Sequence, residues 1–208
     1  MKGIIGRKVG MTQIFDPAGQ IVPVTVIKAG PCYVTQVKTT DSDGYSAVQL
    51  GFEEVESHEL TLPKRGHLKP VGRNLDILRE FRVSDPGEYT VGQHIGADIF
   101  AAGQHVDVIG ISKGRGFQGV IRRHNFHRQP ATHGQTDRER APGSIGACTW
   151  PGRVWKGQKM PGRMGNRRET VSNLLVVTAD PERNLLLIRG GVPGPNGGLV
   201  LIQEGRKQ

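Results

Sequence analysis

The chain has 208 residues, 28 Lys and Arg against 19 Asp and Glu, a formal net charge of +9, and 30 Gly with 13 Pro. That length holds one domain, or one domain with a large excursion, and the basic balance points to a polyanionic partner rather than to any particular fold. Two distant cysteines, Cys32 and Cys148, exclude a disulfide framework, and no run approaches the roughly 18–20 apolar residues that span a bilayer.

The opening Lys2-Gly3-Ile4-Ile5-Gly6-Arg7-Lys8 breaks its apolar stretch too early for a secretory signal, so a reducing cytoplasm is the expected home. Residues 21–27 and 33–38 are β-branched runs on either side of Gly30-Pro31, a turn signal. Residues 47–52 alternate in period two after the turn-like Asp41-Ser42-Asp43-Gly44. A weak helical pattern covers 72–79, followed by a short strand at 80–83. Further strands are expected at 106–111, 173–178, 184–188 and 199–202, with Asp180-Pro181-Glu182-Arg183-Asn184 as a hairpin connection. Short strands at this spacing predict a mainly β barrel or sandwich. No period of 20–50 residues recurs, which excludes a repeat array.

Charge is not spread evenly. Residues 1–110 hold 11 Lys and Arg against 13 acids, residues 111–168 hold 13 against 2, and residues 169–208 hold 4 against 4. The excess therefore sits in one internal block. Its ten glycines and few aliphatic residues leave little to bury, while ordering a residue costs about 1–2 kcal/mol in backbone entropy. Such a block needs a partner to order it. The domain reading is a discontinuous β domain of 1–111 and 169–208, with 112–168 as an extended insert.

Within the block, Gly114-Arg115-Gly116-Phe117-Gln118-Gly119 has the spacing of a dinucleotide-binding fingerprint. That site needs an amphipathic helix next and a second apolar strand ending in an acid. Here Val120-Ile121-Arg122-Arg123-His124-Asn125 follows, and Asp137 and Glu139 stand between arginines with no strand before them. Glycines that let backbone approach phosphates are the better account. His124, His127 and His133 lack a zinc-ligand spacing, so contact with bases or phosphates is expected of them. Trp150, beside Pro151-Gly152, reads as an exposed tip, whereas Phe117 and Phe126 serve equally for packing or for stacking on bases. Ser144 is not in a hydrolase elbow, and no carboxylate pair is available for acid–base work. No catalytic residue, metal, cofactor, membrane or small-molecule substrate is expected.

Longer motifs carry a family likeness. The opening 15 residues through Val9-Gly10-Met11-Thr12-Gln13-Ile14-Phe15, the run Val108-Ile109-Gly110-Ile111-Ser112-Lys113-Gly114-Arg115-Gly116-Phe117-Gln118-Gly119, and Ala131-Thr132-His133-Gly134 carry part of it. Gly143-Ser144-Ile145-Gly146, Pro151-Gly152-Arg153-Val154, Lys159-Met160-Pro161-Gly162-Arg163-Met164-Gly165 and Asn184-Leu185-Leu186-Leu187-Ile188-Arg189-Gly190-Gly191-Val192-Pro193-Gly194 carry the rest. Together they resemble the bacterial form of large-subunit ribosomal protein three, nearly end to end. The resemblance implies a six-stranded translation-protein-type β-barrel that sits on the subunit surface and binds ribosomal RNA near its 3′ end, with a long, irregular, basic Gly-rich extension that penetrates 23S rRNA. It implies a place in the bacterial large subunit beside other ribosomal proteins, a role in assembly, and residues 143–155 directed towards the peptidyl-transferase centre. Some bacterial relatives carry a methylated glutamine after the Gly-Ser-Ile-Gly stretch; Ala147-Cys148-Thr149-Trp150 offers none.

The residues expected to contact RNA are Lys113, Arg115, Gly116, Arg122, Arg123, His124, His127, Arg128, His133, Arg138, Arg140, Trp150, Arg153, Trp155, Lys156, Lys159, Arg163, Arg167 and Arg168. Arg122, Arg123, Arg167 and Arg168 are expected to contribute to the salt dependence of binding. Two rival readings are a nicotinamide-dependent oxidoreductase built on the glycine motif and a DNA-architectural protein. The first lacks its structural context and the second lacks a DNA-reading helix.

Overall fold

The computed structural model describes residues 2–205. Met1 and residues 206–208, which the sequence assigns to the β domain, lie outside them. In chain order the strands are β1 (Gly3–Phe15), β2 (Ile21–Ala29), β3 (Cys32–Lys38), β4 (Ala47–Glu54), β5 (Leu75–Arg82), β6 (His94–Ile95) and β7 (His105–Ile111). They continue with β8 (Phe117–Gln118), β9 (Gly162–Arg163), β10 (Arg168–Asp180), β11 (Leu185–Arg189) and β12 (Leu199–Glu204). Three short α-helices interrupt them: α1 (Thr40–Asp43), α2 (Leu62–Leu68) and α3 (Val120–His124).

Two units emerge. One runs up to Ser112 and resumes at Arg168; the other is Lys113–Arg167. Ser112 and Arg168, grouped with the insert on charge, thus belong to the first unit, where Arg168 pairs with Ile111 across β7 and β10.

Six strands of the first unit close an antiparallel barrel in the order β1-β12-β7-β10-β11-β2. Closure leaves no open sheet edge. Period-two alternation supplies the interior: Val106 and Val108 from β7, Leu186 and Ile188 from β11, and Val200 and Ile202 from β12 are all fully buried. Burying each such side chain stabilises the fold by about 1.5–3 kcal/mol. Ile4 of β1 and Ile27 of β2 complete the lining. A second sheet, ordered β5-β4-β3-β6, adds Val34, Leu50, Phe52, Phe81 and Ile95 to the same apolar cluster. Gly3 makes this join possible, because a Cβ there would overlap the Phe81 ring.

The structure corrects the reading of residues 72–79. They form a turn and the start of β5 rather than a helix; the helix lies earlier, at Leu62–Leu68. Leu75 and Phe81 are buried and Ile77 is half-buried, an alternation that only a strand satisfies once β4 is available to pair. Likewise Asp41-Ser42-Asp43-Gly44 is not a simple turn but the short α1, closed by Gly44 at φ 77°.

The 13-residue β1 had no strand signal, because a lysine stands at one of its buried positions. Lys8 is 7% exposed, and its Nζ donates to the carbonyls of Val192 (3.0 Å) and Gly194 (3.2 Å). These belong to the glycine- and proline-rich connection between β11 and β12. Its Val192 packs into the core, and its Pro193 stands where a Cβ on Gly110 would be. An ammonium therefore fastens the connection beside the barrel end at which β7 finishes. Replacing Lys8 with Met should remove the donor and destabilise the protein by about 1–3 kcal/mol. A urea unfolding midpoint equal to the wild type's would show that these carbonyls do not depend on Lys8.

Candidate nucleic-acid interface

Lys113–Arg167 contains 12 Lys and Arg against two acids. Among the buried apolar residues described, Val120 alone comes from this unit. Its order rests on backbone geometry and a few polar contacts. Six of its ten glycines take positive φ, as do Asn125, His133, Asp137 and Asn166. Most of these glycines are thus explained by chain reversals that L side chains adopt only with strain.

The unit's two ends meet in a short ladder. Phe117 and Gln118 of β8 pair with Arg163 and Gly162 of β9. Outside it, Arg115 N–H donates to the Met164 carbonyl and Met164 N–H to the Gly116 carbonyl, both at 2.9 Å. Arg123 Nη1 donates to the Met160 carbonyl at 2.7 Å, and His124 Nε2 lies 3.1 Å from the same oxygen. Arg122 reaches Gln118 Oε1 at 3.3 Å. The predicted contacts Arg123 and His124 are therefore half-buried and engaged within the unit, whereas Lys113, Arg115, Gly116, Arg122 and Arg163 are exposed around the ladder. Arg167 is exposed as well. Arg168, also exposed, sits in β10 of the barrel unit.

A helix does follow Gly119, contrary to the sequence expectation, but α3 has only five residues and stops at Asn125 with φ 57°. Asp137 and Glu139 lie in irregular chain. The arrangement of a dinucleotide site is absent among the described residues. Glu139 instead forms an ion pair with Arg128, and the Gln129 N–H donates to the Glu139 carbonyl at 3.0 Å. This clasp closes a loop that displays His133, Arg138 and, just beyond, Arg140; His127 is exposed immediately before it.

Towards Met160 the chain presents Trp150 at 78% exposure and Trp155 at 52%. Their ring centroids are 6.4 Å apart in an edge-on arrangement, and the Arg153 guanidinium lies 5.1 Å from the centre of the Trp155 ring. Lys156 and Lys159 are exposed beside them. Two open indole faces with adjacent cations can accept unpaired bases and their phosphates. The Phe117 ring is also exposed, while Phe126 is half-buried with His124 at 6.3 Å. Ser144 spends its hydroxyl on the Gly146 carbonyl of its own loop. Among the described residues no cluster of His, Cys, Asp and Glu is placed to hold a metal ion, and no helix is long and apolar enough to cross a membrane.

Gln118 and Met160 were missed. The Gln118 amide donates to the Arg115 carbonyl and accepts from Arg122, while one Met160 carbonyl gathers Arg123 and His124. Runs of only two residues, Phe117-Gln118 and Gly162-Arg163, give no signal that they pair across more than 40 positions. A main-chain acceptor leaves no trace in residue type.

Residues 80–183 match the family model described as ribosomal protein L3. Over its whole length the chain is 55% identical to large ribosomal subunit protein uL3 of Herpetosiphon aurantiacus, spanning 98% of that relative. It is 54% identical over its whole length to the protein of the same name from Acidothermus cellulolyticus, spanning 94% of it. For the Heliobacterium modesticaldum protein the identity is 57%, over 99% of this chain and 98% of that one.

Gly165, at φ 73°, would drive a Cβ into the Lys113 carbonyl, so Gly165→Ala should break the closure of the ladder. Amide exchange at Arg115 and Met164 should accelerate at least tenfold. Gly119→Ala, which meets open space at an ordinary φ, should leave it unchanged, and equal exchange in both variants would refute the claim. Burial raises the Cys32 thiol to about 12, whereas Cys148 is exposed. Iodoacetamide at neutral pH should label Cys148 in the native protein and Cys32 only after denaturation.

Proposed function

The chain belongs to the ribosomal protein L3 family and is a structural constituent of the large ribosomal subunit, not an enzyme; on that premise we propose that its Lys113–Arg167 unit binds 23S rRNA and buttresses the RNA around the peptidyl-transferase centre. The observation that carries this reading is the combination of 12 cations, two acids and a single buried apolar residue in one unit. Without a hydrophobic interior, such a unit gains its ordering energy from phosphates packed against it.

The division of labour follows from the two units. The closed barrel supplies a rigid body with a core of its own. The basic unit supplies charge on a backbone bent by glycines. Recognition is by phosphate and shape, since the deep, narrow major groove of A-form RNA is closed to side chains and the shallow minor groove is read mostly through its 2′-hydroxyls and outline. Trp150 and Trp155 offer stacking surfaces, worth about 1–3 kcal/mol per base where a base is unpaired. The residues between Gly143 and Trp155 are the part assigned to the neighbourhood of the catalytic RNA. Neighbouring large-subunit proteins, a role in subunit assembly and a bacterial cytoplasmic location belong to the same reading.

Arg115, Arg140, Lys156 and Lys159 have exposed side chains well suited to phosphates. Replacing all four with Ala should reduce the slope of log affinity for 23S rRNA against log salt by roughly 3, at about 0.7–0.9 per phosphate. Large subunits assembled with this variant should accumulate as slower-sedimenting precursors. A slope identical to the wild type's would remove these four from the interface.

A further inference from the structure

Barrel closure seals the six-stranded sheet, but β1 and β2 run on past it. β1 joins β12 only over Gly3–Arg7, and β2 meets β11 only over Val24–Lys28. Among the described residues, Gly10–Phe15 of β1 has β2 as its one strand neighbour, so it stands as the free edge of a two-stranded ribbon. The turn that closes the ribbon is firmly set. Asp16 Oδ1 accepts from the Ala18 and Gln20 N–H groups at 2.9 and 2.8 Å.

The register fixes which main-chain groups of this edge point away from β2. Gln13 faces Pro23, which has no N–H, and the Asp16 N–H donates to the Gln20 carbonyl at 3.0 Å. Bonded and non-bonded pairs alternate in an antiparallel ladder, so Thr12 and Ile14 bond to β2 while Met11, Gln13 and Phe15 direct N–H and C=O outward. The side chains beside that edge are apolar: Met11 is 55% exposed, Phe15 69%, and Ile21, opposite Phe15, 58%. Residues 9–27 contain no Lys, Arg or His and one acid, Asp16, whose carboxylate is engaged in the turn. Such a surface offers no cation to a phosphate. Open edges are usually blunted by charge, and β5, the outer strand of the second sheet, carries Asp76, Arg79, Glu80 and Arg82. The β1 edge has no such guard.

We propose that the open edge Gly10–Phe15 accepts an extended segment of another large-subunit protein as an added β-strand, with apolar side chains of that segment covering Met11, Phe15 and Ile21. Six residues span about 20 Å at about 3.4 Å each. Such an edge buries far less than the roughly 1,200 Å² of a stable free-standing interface. A second copy of this chain, itself at +9, would be repelled and too weakly held. A segment of a protein already anchored in the same particle meets the edge at high effective concentration. The inference rests on the reading that other large-subunit proteins border this chain, and adds where and how one of them does.

The test puts the photo-crosslinking residue p-benzoylphenylalanine in place of Phe15, in full-length protein within purified large subunits. Irradiation should give an RNase-resistant adduct to one other large-subunit protein, identified by mass. Gln13→Pro removes an outward N–H that β2 does not use and should cut the yield by about two- to tenfold, the effect of losing one hydrogen bond. Gln13→Ala should leave the yield unchanged. Should Gln13→Pro lower the unfolding midpoint of the free protein, Met11→Lys, on the exposed face, should cut the yield instead. An adduct to rRNA or to a second copy overturns the proposal, as does a yield indifferent to these edge variants. It is also overturned if the probe at exposed Leu62 or Val91 captures a protein while the probe at position 15 captures none. Capture of no protein from any of the three positions would instead defeat the reading that proteins border this chain.

Discussion

Like charges confined to a thin chain repel one another, and no oily interior holds Lys113–Arg167 together against that repulsion. The rest of the molecule can be read as a response to this constraint. A barrel whose six strands close on themselves supplies two adjacent strands, β7 and β10, as the ends from which the basic unit continues. Their pairing at Ile111 and Arg168 brings the two ends of the insert together before any RNA is met. The entropy of closing so long a loop is thereby met within the barrel.

Inside the basic unit the same constraint explains how its few polar contacts are used. Arg123 and His124 converge on one main-chain carbonyl, and the Arg128–Glu139 pair clasps a loop at its base. An exposed ion pair is worth little by itself, typically under about 1 kcal/mol. Its value here is positional, since it sets where His133, Arg138 and Arg140 are displayed. Local contacts of this kind shape the unit while most of its cations stay exposed.

The barrel uses charge in the opposite way. Lys8 is buried and spent on carbonyls of the connection between β11 and β12, and Arg7 is paired with Glu53 and the Gly197 carbonyl. The Glu53 partner raises the Arg7 guanidinium above its ordinary value, while Lys38 and Tyr45 hold the Glu80 carboxyl below its own. These cations close the protein on itself. Most cations of the extension, by contrast, are exposed at the surface.

Much of this was legible in the residues alone. Alternating β-branched runs specify strands because period two puts every second side chain in the core, and a block of 13 cations against two acids is visible by counting. The long motifs from Met1 to Gly194 carried the family. Tertiary structure decided what depends on partners distant in sequence. It made residues 75–82 a strand by offering β4 as a neighbour, and β1 a strand although Lys8 breaks its apolar pattern. It brought Phe117–Gln118 against Gly162–Arg163, and it separated the cations spent on carbonyls from those left open. A side chain's type is written in the sequence; whether its charge is already satisfied is a matter of which backbone oxygen the fold places beside it.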